Sequence, residues 1–124
     1  MLDAIGAGLW ALIGNPSTMG LMLLAVFIGI IVGATPGIGG RLSSAQAIPF
    51  VFGMHMTQGA AFLLTMHAVN GTSGQISSIM FGVPGDGDDA ATTIDGYPMA
   101  KKGEAGRALG ASITASGVGG IIGA

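Results

Sequence analysis

Apolar and polar positions divide the chain into three charge-free blocks and one polar interval. Residues 4 to 40, 42 to 85 and 108 to 124 carry no formal charge, and every charge falls at Asp3, at Arg41 or between Asp86 and Arg107. Residues 4 to 14 (AIGAGLWALIG) are apolar but too short to cross a bilayer, and Asn15-Pro16-Ser17 ends them with a turn signal and a helix N-cap. This predicts an interfacial helix over 1–16, with Trp10 at headgroup level. From Thr18 to Ala34 the chain is unbroken and apolar. About 20 residues at about 1.5 Å each match a hydrocarbon core of about 30 Å, so a transmembrane helix is predicted over 17–35. Gly29 and Gly33 form a GxxxG pair, which lets another helix approach closely.

Thr35-Pro36-Gly37-Ile38-Gly39-Gly40 stops that helix, because proline lacks a backbone donor while glycine accepts chain-reversing dihedrals. Ser43-Ser44 then reads as a helix start, with an apolar arm to Phe52 and a break at Gly53 to Thr57. A second arm runs from Gln58 to Val69, a third break covers Asn70 to Gln75, and a third arm covers Ile76 to Val83. Each arm is shorter than a span needs. Residues 36–83 therefore predict broken or re-entrant helices, with at least one helix pair turning within the membrane. Residues 84–107 read as a polar loop, and 108–124 as the start of the next transmembrane helix.

Composition supports the bilayer as solvent. Hydrophobic residues make up 50% of the 124, charged residues 8%, and the mean hydropathy is +0.72, whereas soluble chains are about a quarter charged. The 24 glycines follow no collagen period and suit closely packed or broken membrane helices. A net charge of −2 without a basic, aromatic-interleaved patch excludes nucleic acid as a partner. Absence of cysteine removes disulfides, thiolate metal sites and a Cys nucleophile. No Lys or Arg precedes Arg41, so the N-terminus lacks the basic region of a secretory signal and reads as mature sequence. Lys101, Lys102 and Arg107 place their loop on the cytoplasmic side by the positive-inside rule.

Two polar breaks carry the candidate chemistry. Pro36, Gly37, Gly39 and Gly40 with Ser43 would set free N–H groups and a hydroxyl at a helix N-terminus, an anion cradle in principle; the plainer reading is an interhelical turn. Asn70, Gly71, Thr72 and Ser73 place hydrogen-bonding groups between apolar arms, where polar atoms are costly unless satisfied. Unwound carbonyls there would also suit sodium near Asn70, Thr72 and Ser73. Arg41 beside the first turn reads either as a bidentate carboxylate clamp or as an arginine snorkelling to headgroups. Asp86-Gly87-Asp88-Asp89 fails as an EF-hand, since Ala90, Ala91 and Tyr97 stand where a ligand, glycine and glutamate belong; it reads as a solvated acidic turn. His55 and His67 have no carboxylate or cysteine beside them, which leaves a turn histidine and a packed or cavity-lining one. Asn70-Gly71-Thr72 matches a glycosylation sequon, but between apolar arms it is unreachable. No nucleophile and base pair supports an enzyme, and no cofactor or metal is implied.

Asp95 to Gly110 (DGYPMAKKGEAGRALG) resembles the signature of the large membrane subunit of tripartite tricarboxylate transporters, the TctA-like family. GATPGIGG from Gly33, IPFVFGM from Ile48 and VPG from Val83 fall in a similar order. The resemblance implies an all-α integral membrane protein of the bacterial inner membrane, multi-pass, forming part of one inverted repeat of an elevator-type transporter. It further implies cation-coupled uptake of tricarboxylates or related carboxylates, with a small membrane subunit and a periplasmic solute-binding protein as partners, and sodium, favoured over the proton, as the coupling ion. HAVNGTSGQ from His67 and the acidic run after VPG depart from the family pattern. A different class of reading remains: a structural or assembly protein whose glycines serve only packing.

Overall fold

The structure, a computed structural model, describes residues 1–123, and for Gly40 and Arg41 the backbone alone. It is built from α1 (Leu2–Ile13), α2 (Pro16–Gly33), α3 (Gly39–Val51), α4 (Met56–Phe81), a 3-10 turn (Gly87–Asp89), α5 (Ala90–Lys101) and α6 (Ala105–Gly123); no strand forms among the described residues. The Asn15 side chain accepts from the Ser17 N–H at 3.1 Å and Pro16 takes the first helical position, so α2 starts where the cap chemistry predicts. α2 has a mean hydropathy of 2.1 over its 18 residues. Among the described residues it is the one helix both long and apolar enough to cross a membrane. No residue of α1 is buried, which leaves its apolar surface to its surroundings.

Burial runs opposite to that of a soluble domain. Thr18, Ala25, Gly29 and Gly33 are the buried residues of α2, while Leu23, Leu24, Phe27 and Ile31 point outward. On α4 the buried stripe includes Asn70, Ser73, Gly74, Ser77 and Ser78, and Leu64 and Phe81 are exposed. Large apolar side chains outside and small or hydroxylated ones inside are what lipid, rather than water, selects. Ala25, Ala47, Phe62 and Met66 form a small apolar cluster at one end of this interior.

The central element is α4, which packs against α2, α3, α5 and α6. Against α2 the approach is close: a Cβ on Gly29 would stand 3.1 Å from the Val69 side chain, and one on Gly33 would fall on Ser73 Oγ. That hydroxyl donates to Gly29 O at 3.1 Å across the seam and to Val69 O at 2.8 Å within α4. The GxxxG pair of α2 thus serves helix packing. At the other side, Gln75 Nε2 donates to Ser116 Oγ at 2.9 Å, and Ser112 Oγ donates to Gln75 Oε1, tying α4 to α6.

Two expectations need correction. The arms at 58–69 and 76–83 are not separate, because α4 continues through Asn70 to Gln75 as one 26-residue helix, about 39 Å long. Its hydroxyls are satisfied without unwinding: Ser77 Oγ and Ser78 Oγ donate back to Gly74 O at 2.8 and 3.2 Å, and Thr72 Oγ1 to Ala68 O at 3.3 Å. Of the broken region, the stop at Pro36 to Ile38 and the gap between Val51 and Met56 remain, and α3 with 13 residues is too short to span. The interval 84–107 is no continuous loop either, since it holds the 3-10 turn and α5, and α6 already begins at Ala105.

Candidate functional site

The Thr35 to Gly40 turn ends at the N-terminus of α3, where Gly37 and Gly39 adopt φ of 84° and 54°, a region that favours glycine. α3 begins at Gly39, so Ser43 sits in its second turn, not at the helix start. Ser43 is buried and accepts from Asn70 Nδ2 at 2.7 Å. This bond joins the two polar stretches that are 27 positions apart in sequence.

Around that junction lies a cavity of about 70 Å³, lined by Gly33 from α2, Gly39 from α3, His67, Asn70, Gly71 and Gly74 from α4, and Gly85, Asp86, Asp88 and Asp89 from the acidic turn. Glycine lets the four segments meet. A Cβ on Gly39 would stand 3.0 Å from Gly85 O and 3.3 Å from the Asp86 carboxyl carbon, and one on Gly85 would stand 2.8 Å from Gly74 Cα. The α3 N-terminus, expected to cradle an external anion, therefore faces the chain's own Asp86 carboxylate.

Asp86 and Asp89 cap the 3-10 turn reciprocally. Gly87 N–H donates to Asp86 Oδ1 at 2.7 Å, and Asp86 N–H donates to Asp89 Oδ2 at 3.1 Å. Asp89 is buried, which corrects the reading of the whole acidic run as solvated; Asp88 is exposed and Asp86 half-buried. Burial pushes the Asp89 carboxyl above its ordinary value, the Asp86 backbone bond opposes this, and repulsion from Asp86 and Asp88 adds to it. No sequence pattern distinguished this residue from its two acidic neighbours in the run that follows α4.

Of the sequence-predicted residues, Gly39, Asn70 and Gly71 line the cavity, and Ser43 and Ser73 brace it through the bonds given above. Pro36 and Gly37 are exposed on the turn, and Thr72 bonds within α4 away from the cavity wall. The backbone of Gly40 and Arg41 belongs to the first turn of α3, and the Arg41 clamp, a side-chain reading, lies outside what the structure describes. Asn70 is 2% exposed and its Oδ1 has no hydrogen-bond partner. Among the described residues no three carboxylate, imidazole or thiolate groups converge as a metal site.

The sixteen-residue stretch from Asp95 has a structural place. Gly96 is pressed on Ile79, Tyr97 lies over Gly82 at the left-handed end of α4, and Lys101 Nζ is 4.6 Å from the Tyr97 ring centre. It forms the joint that docks α5 and α6 on α4.

Residues 19–124 match the family model described as "Tripartite tricarboxylate transporter TctA family". A protein of Agrobacterium vitis described as "Uncharacterized 52.8 kDa protein in TAR-I ttuC' 3'region" is 32% identical over 99 residues, 80% of this chain and 20% of that protein. The chain thus spans about a fifth of the length of this curated relative. No solved structure matches the chain.

Proposed function

Since the chain belongs to the tripartite tricarboxylate transporter TctA family, we propose that it is the part of a membrane permease that builds a polar ion-binding interior for cation-coupled carboxylate uptake. The observation carrying this reading is the junction of Ser43 and Asn70 beside a carboxylate-lined cavity, inside helices whose outer surface is apolar. Polar groups are expensive at that depth and are retained where ions or substrates pass. The permease sits multi-pass in the bacterial inner membrane, with a small membrane subunit beside it. A periplasmic binding protein delivers a tricarboxylate or related carboxylate. The chain supplies part of one inverted repeat of an elevator-type transporter, with Gly39, Asn70 and Gly71 on the wall of the path of substrate and coupling sodium and Ser43 and Ser73 bracing it.

Reconstitution of the full-length permease with its small subunit and binding protein tests the proposal. Uptake of labelled di- or tricarboxylates is expected only with all components and an inward sodium gradient. Absence of uptake for every carboxylate that the binding protein retains would overturn the transport reading in favour of a packing role.

A further inference from the structure

We propose that the joint between α5 and α6, together with the apolar surface beneath it, binds the headgroup and chains of an anionic phospholipid. Three of the four basic residues, Lys101, Lys102 and Arg107, stand within seven positions at this joint. A fixed turn holds them there. Gly103 takes a φ of 84°, its N–H donates to Ala100 O at 3.0 Å, and Glu104 N–H donates to Met99 O at 3.0 Å, the pair of bonds that closes a helix at a left-handed glycine. Lys101 and Lys102 are exposed, and the Arg107 side chain is 77% exposed. The acid within the joint, Glu104, stands 3.7 Å from Arg107, and an ion pair open to water holds neither partner strongly. Three cations against one anion leave an excess of two positive charges. Asp95, six positions before Lys101, is turned about 120° from it round α5.

The surface below the charges selects the ligand. On α5, Ile94 lies two turns from Lys101 on the same face and is exposed. Tyr97 stands between them, with Lys101 Nζ 4.6 Å from its ring centre. A lysine laid over a tyrosine suits the boundary of hydrocarbon and water, where the ring sits among headgroups and the ammonium reaches their phosphates. On α6 no formal charge follows Arg107, and Thr114 and Val118 continue its face at seven and eleven positions, both exposed. The Thr114 hydroxyl turns back on its own helix, donating to Gly110 O at 2.8 Å and Ala111 O at 3.0 Å, which leaves that face apolar. Each helix thus carries exposed cations at the joint and exposed apolar surface over the next 10 Å or so. A free anion matches only the cations, and an acidic protein surface leaves the apolar faces bare. A lipid with phosphate and acyl chains matches both. Each basic group near a bilayer surface favours anionic lipid, so the joint reads the sign of the headgroup.

The test uses purified full-length permease, freed of bound lipid in a neutral detergent, and follows thermal stability as phosphatidylglycerol is added. Phosphatidylcholine with the same acyl chains and inorganic phosphate are the comparison probes. The parent is expected to show saturable stabilisation by phosphatidylglycerol, with little from phosphatidylcholine and none from phosphate alone. Lys102→Gln combined with Arg107→Gln should raise the half-saturating lipid fraction about tenfold or more. The charge-keeping pair Lys102→Arg and Arg107→Lys should retain the parent value, which separates charge from fold. Glu104→Gln should lower it about threefold by removing the opposing charge, and Asp3→Asn, on α1, should leave it unchanged. Equal stabilisation by the two lipids, or unaltered half-saturation in the double Gln variant, would overturn the site. An effect reproduced by phosphate alone would replace the lipid with a free anion. Double Gln variants that keep the lipid response but no longer copurify with another membrane subunit would show the joint to be a protein contact instead. The measurement needs neither a gradient nor a transported substrate, so its outcome and that of the uptake experiment are independent.

Discussion

At Gly39 two constraints coincide, a left-handed φ of 54° and a carbonyl 3.0 Å from where a Cβ would stand. Gly39→Ala is expected to cost about 1–2 kcal/mol of stability and to lower apparent affinity for transported ions about tenfold, read from thermal unfolding and uptake by the full complex. Asp89 gives a prediction with a defined sign. Its folded carboxyl titrates above the ordinary 3.8, so the contribution of this group is complete below that value and is lost as pH rises through the raised folded pKa. Without sodium, Asp89→Asn should therefore unfold at a higher temperature than the parent at neutral pH, and the gap should close as pH falls toward 4. The groups lining the same cavity are Asp86 and Asp88 beside it and His67 from α4. A melting curve series at several pH values checks this, and a gap that widens in acid would contradict it. Gly39 and Asn70 were singled out in the sequence because glycine and amide side chains stand out in apolar surroundings, and both line the cavity. Asp89 was not, because three neighbouring carboxylates look solvated until the turn that buries one of them is known.

Among the helices, α2 was the most legible, since its cap, length and apolar run agree. α4 was misread because glycine, serine and asparagine weaken a helix in water, whereas here their hydroxyls bond back to the helix and their small volumes admit neighbours. Local propensity yielded to packing. The α2–α4 seam supplies a direct test: Gly33→Ala places a methyl on Ser73 Oγ and is expected to destabilise the full-length protein by about 1–3 kcal/mol. Gly20→Ala, with nothing within 4 Å, should be neutral or stabilise by up to about 1 kcal/mol. Thermal unfolding in one detergent compares the pair, and equal effects at both positions would show that the seam is not tight.

For the molecule as a whole, Lys101, Lys102 and Arg107 cluster at the α5–α6 joint, where Gly103 has a φ of 84°. Cytoplasmic placement of that joint predicts that Glu104→Cys, exposed and free of the glycine constraint, resists an impermeant thiol reagent added outside intact cells and reacts after permeabilisation. Labelling from outside would invert the orientation. Sequence pattern revealed the membrane class because it depends on composition, while the meeting of four segments around one cavity depends on glycine contacts that no linear pattern encodes. The seam of Gly29 and Gly33 against Val69 and Ser73 has one more consequence. Helices already surrounded by hydrocarbon gain little from expelling water, so their cohesion comes from contact and hydrogen bonding. The attraction that fades on cooling in a soluble core has no counterpart there. A membrane protein joined in this way should keep its helices together in the cold, with the fluidity of the surrounding lipid, not the loosening of the protein, limiting its motion.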